Sequence, residues 1–290
     1  MNSAINSMLK KYKAVTLSEQ KNTVKEIIQE IALLGLFRSD FYSKAAFYGG
    51  SALRIFHGLD RFSQDLDFSL LKADRSFDLS DYSGCIRNEL EAYGFKVDLQ
   101  VKDKKSNSSL KSAFIKAGTA INLLQIYPAM PSLTEVMPEE VLKIKLEIDI
   151  DPPEKAEYEV KYQLNPVPYS VKLYDLPSIF AGKIHVLLFR KWKNRVKGRD
   201  FYDYIWFLSQ KIKPNLKHLT ARMQQTGHWQ EDNIINNSTL LILLRNKFSE
   251  IDFEQAKKDV KPFINNPLVL DIWSKEFFIK ISEDIFREIV

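Results

Sequence analysis

Two aspartates one residue apart, Asp65 and Asp67, are the side chains best placed to do chemistry. They alternate with apolar Leu66, Phe68 and Leu70. This period of two predicts a half-buried strand, on which residues i and i+2 point to the same face. Neighbouring carboxylates repel each other unless a divalent cation such as Mg²⁺ or Mn²⁺ lies between them. Such cations bridge phosphate oxygens and activate an attacking hydroxyl in phosphoryl or nucleotidyl transfer. The alternative is an ordinary solvated strand face.

A third carboxylate is available on another alternating stretch, Lys143 to Asp151. One face of this predicted strand is apolar, and the other carries Glu147 and Asp149. Pro152-Pro153 ends the strand. Either acid could join Asp65 and Asp67, because three converging carboxylates are what a pair of catalytic cations requires.

The sequence Gly49-Gly50-Ser51 lies between a predicted strand, Ala45 to Tyr48, and a short predicted helix that begins at Ser51. Glycines at a helix start let backbone N–H groups approach a phosphate, and the helix N-terminus favours negative charge. The Ser51 hydroxyl could donate to the same phosphate. The alternative is a tight turn with Ser51 as the helix N-cap.

The second half of the chain carries two further candidates on predicted helices. Lys183 lies within an apolar arc of one helix, where a cation is expensive to bury without an anion. Asp203 and Asp200 share a face of the next helix, which is apolar almost all round. Snorkelling of Lys183 and a structural salt bridge to Asp203 are the alternatives to a phosphate-binding role.

The elements that position these residues suggest two domains. A capping box from Thr16 to Glu19 opens a helix that Gly35 could end. Alternating and helical stretches then follow to about residue 165, whereas helical periodicity dominates from Asp175, and residues 119–139 fit neither pattern. The prolines at 166 and 168 mark the boundary. We predict an α/β domain with a mixed sheet and flanking helices at 1–166, and a helical domain at 167–290 that contributes to the active-site cleft.

Composition excludes several classes of protein. The 290 residues are 45% hydrophobic and 27% charged, which is typical of a globular protein with a core. No apolar run is long enough to cross a membrane, and Met1 to Lys13 lacks the apolar centre of a secretory signal. With the single cysteine, Cys85, this favours the cytoplasm. The four histidines have no zinc-ligand spacing, and Gly49-Gly50-Ser51 lacks the lysine of a kinase-type phosphate loop.

The net charge of +5 only mildly favours a polyanionic partner. The segment Arg190 to Arg199 concentrates six basic residues in ten and includes Trp192. Basic residues beside an aromatic ring suit RNA, through phosphate attraction and base stacking. A solvated charged turn explains the same segment equally well.

Two longer motifs resemble those of the AbiEii/AbiGii toxin family, within the DNA polymerase β-like nucleotidyltransferase superfamily. The first runs from Tyr48 to Arg54 and continues from Gly58 to Ser69, with thirteen residues, 52–64, between Ser51 and Asp65. The second comprises Lys183, Arg195 and the sequence Arg199-Asp200-Phe-Tyr-Asp203, and a C-terminal match follows at Asp259 to Phe263.

This resemblance implies transfer of an NMP from an NTP to an acceptor. Asp65 and Asp67 would bind the metal, Glu147 or Asp149 would assist the acceptor hydroxyl, and Asp203 would orient Lys183 or the metal. Glu147 is slightly preferred as the third metal ligand. Gly49, Gly50, Ser51 and Lys183 would bind the nucleotide.

The resemblance also implies a toxin of a type IV-like toxin–antitoxin or abortive-infection system, with a cognate antitoxin as partner. Related toxins modify tRNA acceptor ends, so RNA is the expected acceptor. Nucleotidylation of a small molecule or a protein is the alternative within the same class. A non-catalytic nucleotide- or RNA-binding module is the alternative from another class. The identity of the NTP and the oligomeric state stay open.

Overall fold

The computed structural model of the chain describes residues 3–102, 108–126, 136–137, 139–191, 195–230 and 232–286. Within these residues the strands are β1 Ala45–Tyr48, β2 Leu66–Leu70, β3 Val97–Lys102, β4 Leu110–Gly118, β5 Val141–Asp149, β6 Tyr158–Gln163 and β7 Tyr169–Tyr174.

The α-helices of the described residues occur before, between and after these strands along the chain. They are α1 Ser3–Leu9, α2 Leu17–Phe37, α3 Phe41–Lys44, α4 Gly49–His57, α5 Ser83–Ala92, α6 Thr119–Ile126, α7 Leu176–Phe189, α8 Gly198–Ser209, α9 Leu216–Gln225, α10 Asn237–Ser249, α11 Phe253–Val260 and α12 Lys275–Phe286. Short 3₁₀ turns occupy Leu79–Tyr82, Lys261–Phe263 and Pro267–Leu270.

The strands form one mixed sheet in the order β3-β4-β5-β2-β1-β7-β6. β2 lies near its centre, antiparallel to β1 and parallel to β5. The apolar side chains of β2 and β5, among them Leu66, Phe68, Leu146 and Ile148, are fully buried. Helices α2, α5 and α6 pack against β5, β3 and β4. The predicted fold class, a mixed sheet with flanking helices followed by a helical region, is therefore confirmed.

The predicted start of α2 is correct, whereas its predicted end is wrong. Thr16 and Glu19 form the full capping box, but the helix continues through Gly35 to Phe37. Gly35 serves packing instead of termination. A Cβ at this position would lie 2.9 Å from the carbonyl oxygen of Cys85 in α5. Only glycine therefore lets α2 and α5 approach this closely.

Several strand and helix boundaries differ from the predictions by a few residues. Asp65 directly precedes β2 instead of lying within it, and β5 ends at Asp149, before Asp151. Residues 119–126, which fit neither pattern, form α6, and residues 127–135 and 138 lie outside the described residues.

The chain divides into two compact units. Unit 1 comprises residues 1–57, 63–152 and 159–173, and unit 2 comprises residues 58–62, 153–158 and 174–290. The sheet extends beyond the prolines at 166 and 168, because β7 pairs with β1 in parallel. Unit 2 holds its helices together with aromatic rings, such as the stacked pair Phe180 and Phe207, whose centroids are 4.4 Å apart.

Candidate active site

The junction of β1, α4 and β2 places a backbone turn against a carboxylate. Tyr48 pairs with Asp67 across the two strands, and Gly49 follows directly. Gly49 has φ +84°, a conformation that side chains rarely adopt. A Cβ built at Gly49 would lie 2.5 Å from Oδ2 of Asp67. Two independent constraints therefore require glycine here, and the second shows that the carboxylate of Asp67 lies against the start of α4.

The first turn of α4 is tied to the residue before β2. The hydroxyl of Ser51 donates a short hydrogen bond to the carbonyl oxygen of Asp65, and Ser51 is fully buried. The Ser51 hydroxyl therefore donates its hydrogen bond to a backbone carbonyl, whereas we expected it to donate to a phosphate. The first backbone N–H groups of a helix have no intrahelical acceptor, so Gly49, Gly50 and Ser51 still offer donors.

The strand register distinguishes the two candidates for the third carboxylate. Glu147 of β5 is the direct partner of Asp67, and Asp149 is the partner of Ser69. Directly paired residues point to the same face of a sheet, so Glu147 lies beside Asp67. Asp149 lies farther along the strand and accepts the backbone N–H of Asp151 at 3.1 Å. The geometry favours Glu147.

Two residues beside Glu147 were not identified from the sequence. Lys145 pairs with Glu147, with 2.5 Å between Nζ and Oε1. Ser112 of β4 is in register with Glu147 on its other side. Its hydroxyl is buried and has no hydrogen-bond partner within the described residues. The alternation along β5 already puts Lys145 on the same face as Glu147, whereas only the strand pairing shows that Ser112 is a neighbour.

In unit 2, Lys183 and Asp203 form a buried ion pair with 2.6 Å between Nζ and Oδ2. Asp203 is fully buried. Arg61 completes the cluster, because Nε and Nη2 each donate to one oxygen of Asp203 at 2.6 Å. The expectation that Lys183 needs an anionic partner is therefore met by Asp203.

The electrostatics of this cluster favour a charged carboxylate. Burial by itself would raise the pKa of Asp203, but Arg61 and Lys183 outweigh that effect and hold it below its usual range. The same contact raises the pKa of Arg61 against the opposing effect of burial. Arg61 lies inside the first sequence motif, yet its buried role was not foreseen, since no property of residues 58–62 indicates a partner in α8.

The arginines of the basic segment have partners within unit 2. Arg190 pairs with Asp200 at 2.6 Å, and Arg195 forms a short ion pair with Asp259. The guanidinium of Arg199 lies 4.3 Å from the ring centroid of Phe263. Half of the six basic residues are thus used in packing, which favours the structural interpretation for the arginines. Trp192 and Lys193 lie outside the described residues.

The residues of unit 1 suit a hard divalent cation in donor chemistry. Asp65, Asp67 and Glu147 offer only carboxylate oxygens, the ligands that Mg²⁺ and Mn²⁺ prefer. The unpartnered hydroxyl of Ser112 also suits an oxygen-coordinated ligand. Within the described residues, no three His, Cys, Asp or Glu side chains are already gathered closely enough to hold a metal.

Two solved structures resemble this chain in fold. Among curated protein sequences, none matches this chain. The crystal structure of JHP933 from Helicobacter pylori is similar, with a TM-score of 0.51 and 17% identity over 94% of this chain and 92% of that one. A candidate nucleotidyltransferase from H. pylori gives a TM-score of 0.50 and 17% identity over 91% and 92%. At such identity these similarities show the fold alone.

The family comparison is more specific. A model of the family described as nucleotidyl transferase AbiEii toxin, Type IV TA system, matches residues 31–277. This range includes both sequence motifs and all the candidate residues above. The chain therefore belongs to the AbiEii family of nucleotidyltransferase toxins.

Proposed function

We propose that this protein transfers an NMP from an NTP to an RNA acceptor, with divalent cations bound by Asp65, Asp67 and Glu147. The observation that carries the proposal is the pairing of Asp67 with Glu147 at the point where Gly49 begins α4. This arrangement combines carboxylates with a helix N-terminus. It suits a nucleoside triphosphate that is held through a metal and backbone N–H groups.

The proposed reaction follows from these groups. The acceptor hydroxyl attacks the α-phosphorus, the bond to the bridging oxygen breaks, and pyrophosphate leaves. Glu147 receives the hydroxyl proton, and Asp149 is the less favourably placed alternative. Mg²⁺ or Mn²⁺, when bound, neutralises the charge that develops on the phosphate oxygens. Backbone N–H groups of Gly49, Gly50 and Ser51 bind phosphate in place of the Ser51 hydroxyl.

Lys183 is proposed to bind a phosphate, and Asp203 to orient it. The support is the 2.6 Å ion pair, which holds the ammonium group of Lys183 while 16% of the lysine side chain stays exposed. Arg61 donates hydrogen bonds to both carboxylate oxygens of Asp203, so Asp203 keeps a charge partner when Lys183 contacts another anion. This division allows Lys183 to interact with a nucleotide without leaving Asp203 unpaired.

RNA is proposed as the acceptor, with the tRNA acceptor end as its specific form, and a cognate antitoxin as the protein partner. The Type IV toxin–antitoxin description of the family supports the antitoxin. Support for RNA comes from the excess of positive charge. The alternatives are a small-molecule or protein acceptor and a non-catalytic binding module.

The test is incubation of the protein with each labelled NTP, Mg²⁺ and either RNA, total protein or small-molecule extract. We expect label on RNA and release of pyrophosphate. Asp67→Asn should abolish labelling while the protein stays folded, because it removes a negative metal ligand but keeps its size. Asp271→Asn, at an exposed position, is the control. Labelling at the wild-type rate by Asp67→Asn would contradict the metal site, and label on protein alone would contradict the RNA acceptor.

A further inference from the structure

A basic face on the three strands β3, β4 and β5 has no role in the site described above. Lys102 and Gln100 of β3, Phe114 and Lys116 of β4, and Lys143 of β5 point to the same side as Glu147, because the strand registers connect them in rows. The opposite side carries buried Ala113, Ile115 and Ile144. We call the first group the basic sheet face.

The positions of the lysines on the basic sheet face destabilise the sheet. Lys116 and Lys143 are direct cross-strand partners, and like charges in that position are destabilising. Their ammonium groups diverge: Lys116 donates to Oε1 of Gln100 at 2.6 Å, and Lys143 lies 4.2 Å from the ring centroid of Phe114. Within the described residues no ion pair joins Lys102, Lys116 or Lys143 to a carboxylate.

An aromatic ring lies at the centre of these charges. Phe114 is half-buried, and the ammonium groups of Lys143 and Lys102, from the two flanking strands, lie 4.2 and 5.0 Å from its centroid. Both lysines are exposed and long enough to move to an anion. A half-buried ring flanked by exposed cations is the combination with which proteins bind single-stranded nucleic acid, through base stacking and phosphate attraction.

The basic sheet face leads directly to the carboxylates. Along one side of β5 the residues run Lys143, Lys145, Glu147, so the charge changes from basic to acidic over roughly 13 Å. One acidic residue, Asp98 of β3, lies at the basic end of this face, in register with Lys116. A single-stranded nucleic acid lying on the lysines would therefore bring its end to Glu147 and Asp67.

We propose that the basic sheet face binds single-stranded RNA adjoining the acceptor end, with Phe114 stacking on a base and Lys102, Lys116 and Lys143 contacting phosphates. This inference rests on the proposed function, since it supplies the surface for the proposed acceptor. It differs from a role for the Arg190 to Arg199 segment, whose arginines are already paired.

The test measures binding of a short labelled single-stranded RNA by fluorescence anisotropy at increasing KCl. The triple variant Lys102→Gln, Lys116→Gln, Lys143→Gln should bind more weakly. The slope of log affinity against log salt should fall by roughly two, because each lost phosphate contact removes about 0.7 from it. The matched control, Lys213→Gln, Lys275→Gln, Lys280→Gln, removes the same charge from exposed positions of unit 2 and should keep the wild-type slope.

A second pair of variants tests the ring. Phe114→Leu should lower RNA affinity roughly tenfold without changing the salt slope, and Phe114→Tyr should keep the affinity because it keeps the stacking surface. Equal losses in the sheet triple variant and its control would overturn the basic sheet face. So would a sheet triple variant that loses antitoxin binding but keeps RNA binding, or a wild type that binds no RNA.

Nucleotide transfer is measured separately, so the two proposals fail in distinguishable ways. If the wild type labels RNA while the sheet triple variant binds RNA as the control does, the basic sheet face is wrong and the transferase stands. If the wild type binds RNA through this face but labels only protein, the acceptor in the proposed function is wrong and the RNA surface stands.

Discussion

Gly49 determines how closely the backbone of α4 approaches the carboxylate of Asp67. In Gly49→Ala the new Cβ would meet Oδ2 of Asp67 at 2.5 Å, so the carboxylate must move. We expect nucleotide transfer to fall about a hundredfold, since small displacements of reacting groups have effects of that size. The positive φ should also lower the free energy of unfolding by about 1–2 kcal/mol.

Gly227→Ala separates these two effects. Gly227 also has a positive φ, of +73°, but a Cβ there would have nothing within 4 Å. It should therefore lose similar stability and keep its activity. Kinetic assays and urea denaturation on both variants measure the difference, and equal activity in both would show that the close approach of Gly49 to Asp67 is not needed.

Asp203 and Lys183 should differ in what they contribute. Asp203→Asn leaves buried Arg61 without its charge partner and should lower the free energy of unfolding by about 3–5 kcal/mol. Lys183→Met leaves the two Arg61–Asp203 hydrogen bonds in place and should cost roughly 1–2 kcal/mol. Lys183→Met should nevertheless weaken NTP binding, which isothermal titration calorimetry measures. Full NTP affinity in this variant would contradict a phosphate-binding role.

Prediction from sequence succeeded where the physical constraint is local. A lysine in the apolar arc of α7 needs an anion, and that argument correctly implied a partner for Lys183. It could not identify Arg61 as the second cation on Asp203, because the pair joins residues 142 positions apart in the chain. Ser112 was missed for a similar reason, since its proximity to Glu147 depends on strand register, whereas Lys145 shares the polar face of β5 with Glu147 and was not considered as its ion-pair partner.

At the scale of elements, Gly198 allows α8 and α11 to pack closely. A Cβ at Gly198 would lie 1.8 Å from the carbonyl oxygen of Ala256, which is backbone and cannot turn aside. Gly198→Ala should therefore separate these helices and lower the free energy of unfolding by at least about 3 kcal/mol, as severe overpacking does.

Gly182→Ala in α7 is the matched control for Gly198→Ala. A Cβ at Gly182 would have nothing within 4 Å, so the gain in helix propensity should stabilise the protein by up to about 1 kcal/mol. Chemical denaturation measures both. A Gly198→Ala variant as stable as Gly182→Ala would show that α8 and α11 are not held at this distance.

The elements themselves were predictable in part. The period of two located β2 and β5, and the capping box located the start of α2, because these signals depend on residues close in sequence. The pairing of β2 with β5 was not predictable, since apolar alternation fits many registers. The strand β7 was also missed, because the prolines at 166 and 168 indicated a domain boundary before it.

At the scale of the whole molecule, buried neutral histidines make stability depend on pH. Burial lowers the pKa of His218 to about 4 from an ordinary 6.5. Between these values the unfolded chain binds a proton that the folded protein excludes, so stability is complete above pH 6.5 and falls as the pH decreases toward 4. This single residue should cost about 2 kcal/mol between pH 7.5 and 5.

The variant His218→Asn tests this dependence. It keeps an N–H donor for the carbonyl oxygen of Glu154, which Nδ1 contacts at 2.8 Å, but it cannot titrate. The free energy of unfolding, measured by urea denaturation from pH 7.5 to 5, should decline less in this variant. His228→Asn, at an exposed position, controls for replacing a histidine, and an identical decline in both variants would exclude His218 as the cause.

The short segment 58–62 has a consequence for how the protein can be divided. It belongs to unit 2 although unit 1 residues precede and follow it, and it carries Arg61. Cutting the chain after residue 173 would leave Arg61 on the first fragment and its partner Asp203 on the second. Neither fragment would hold the complete set of charges that unit 2 buries. Split-protein complementation at that point should therefore yield halves that fold only together, because unit 2 is built from segments on both sides of the cut.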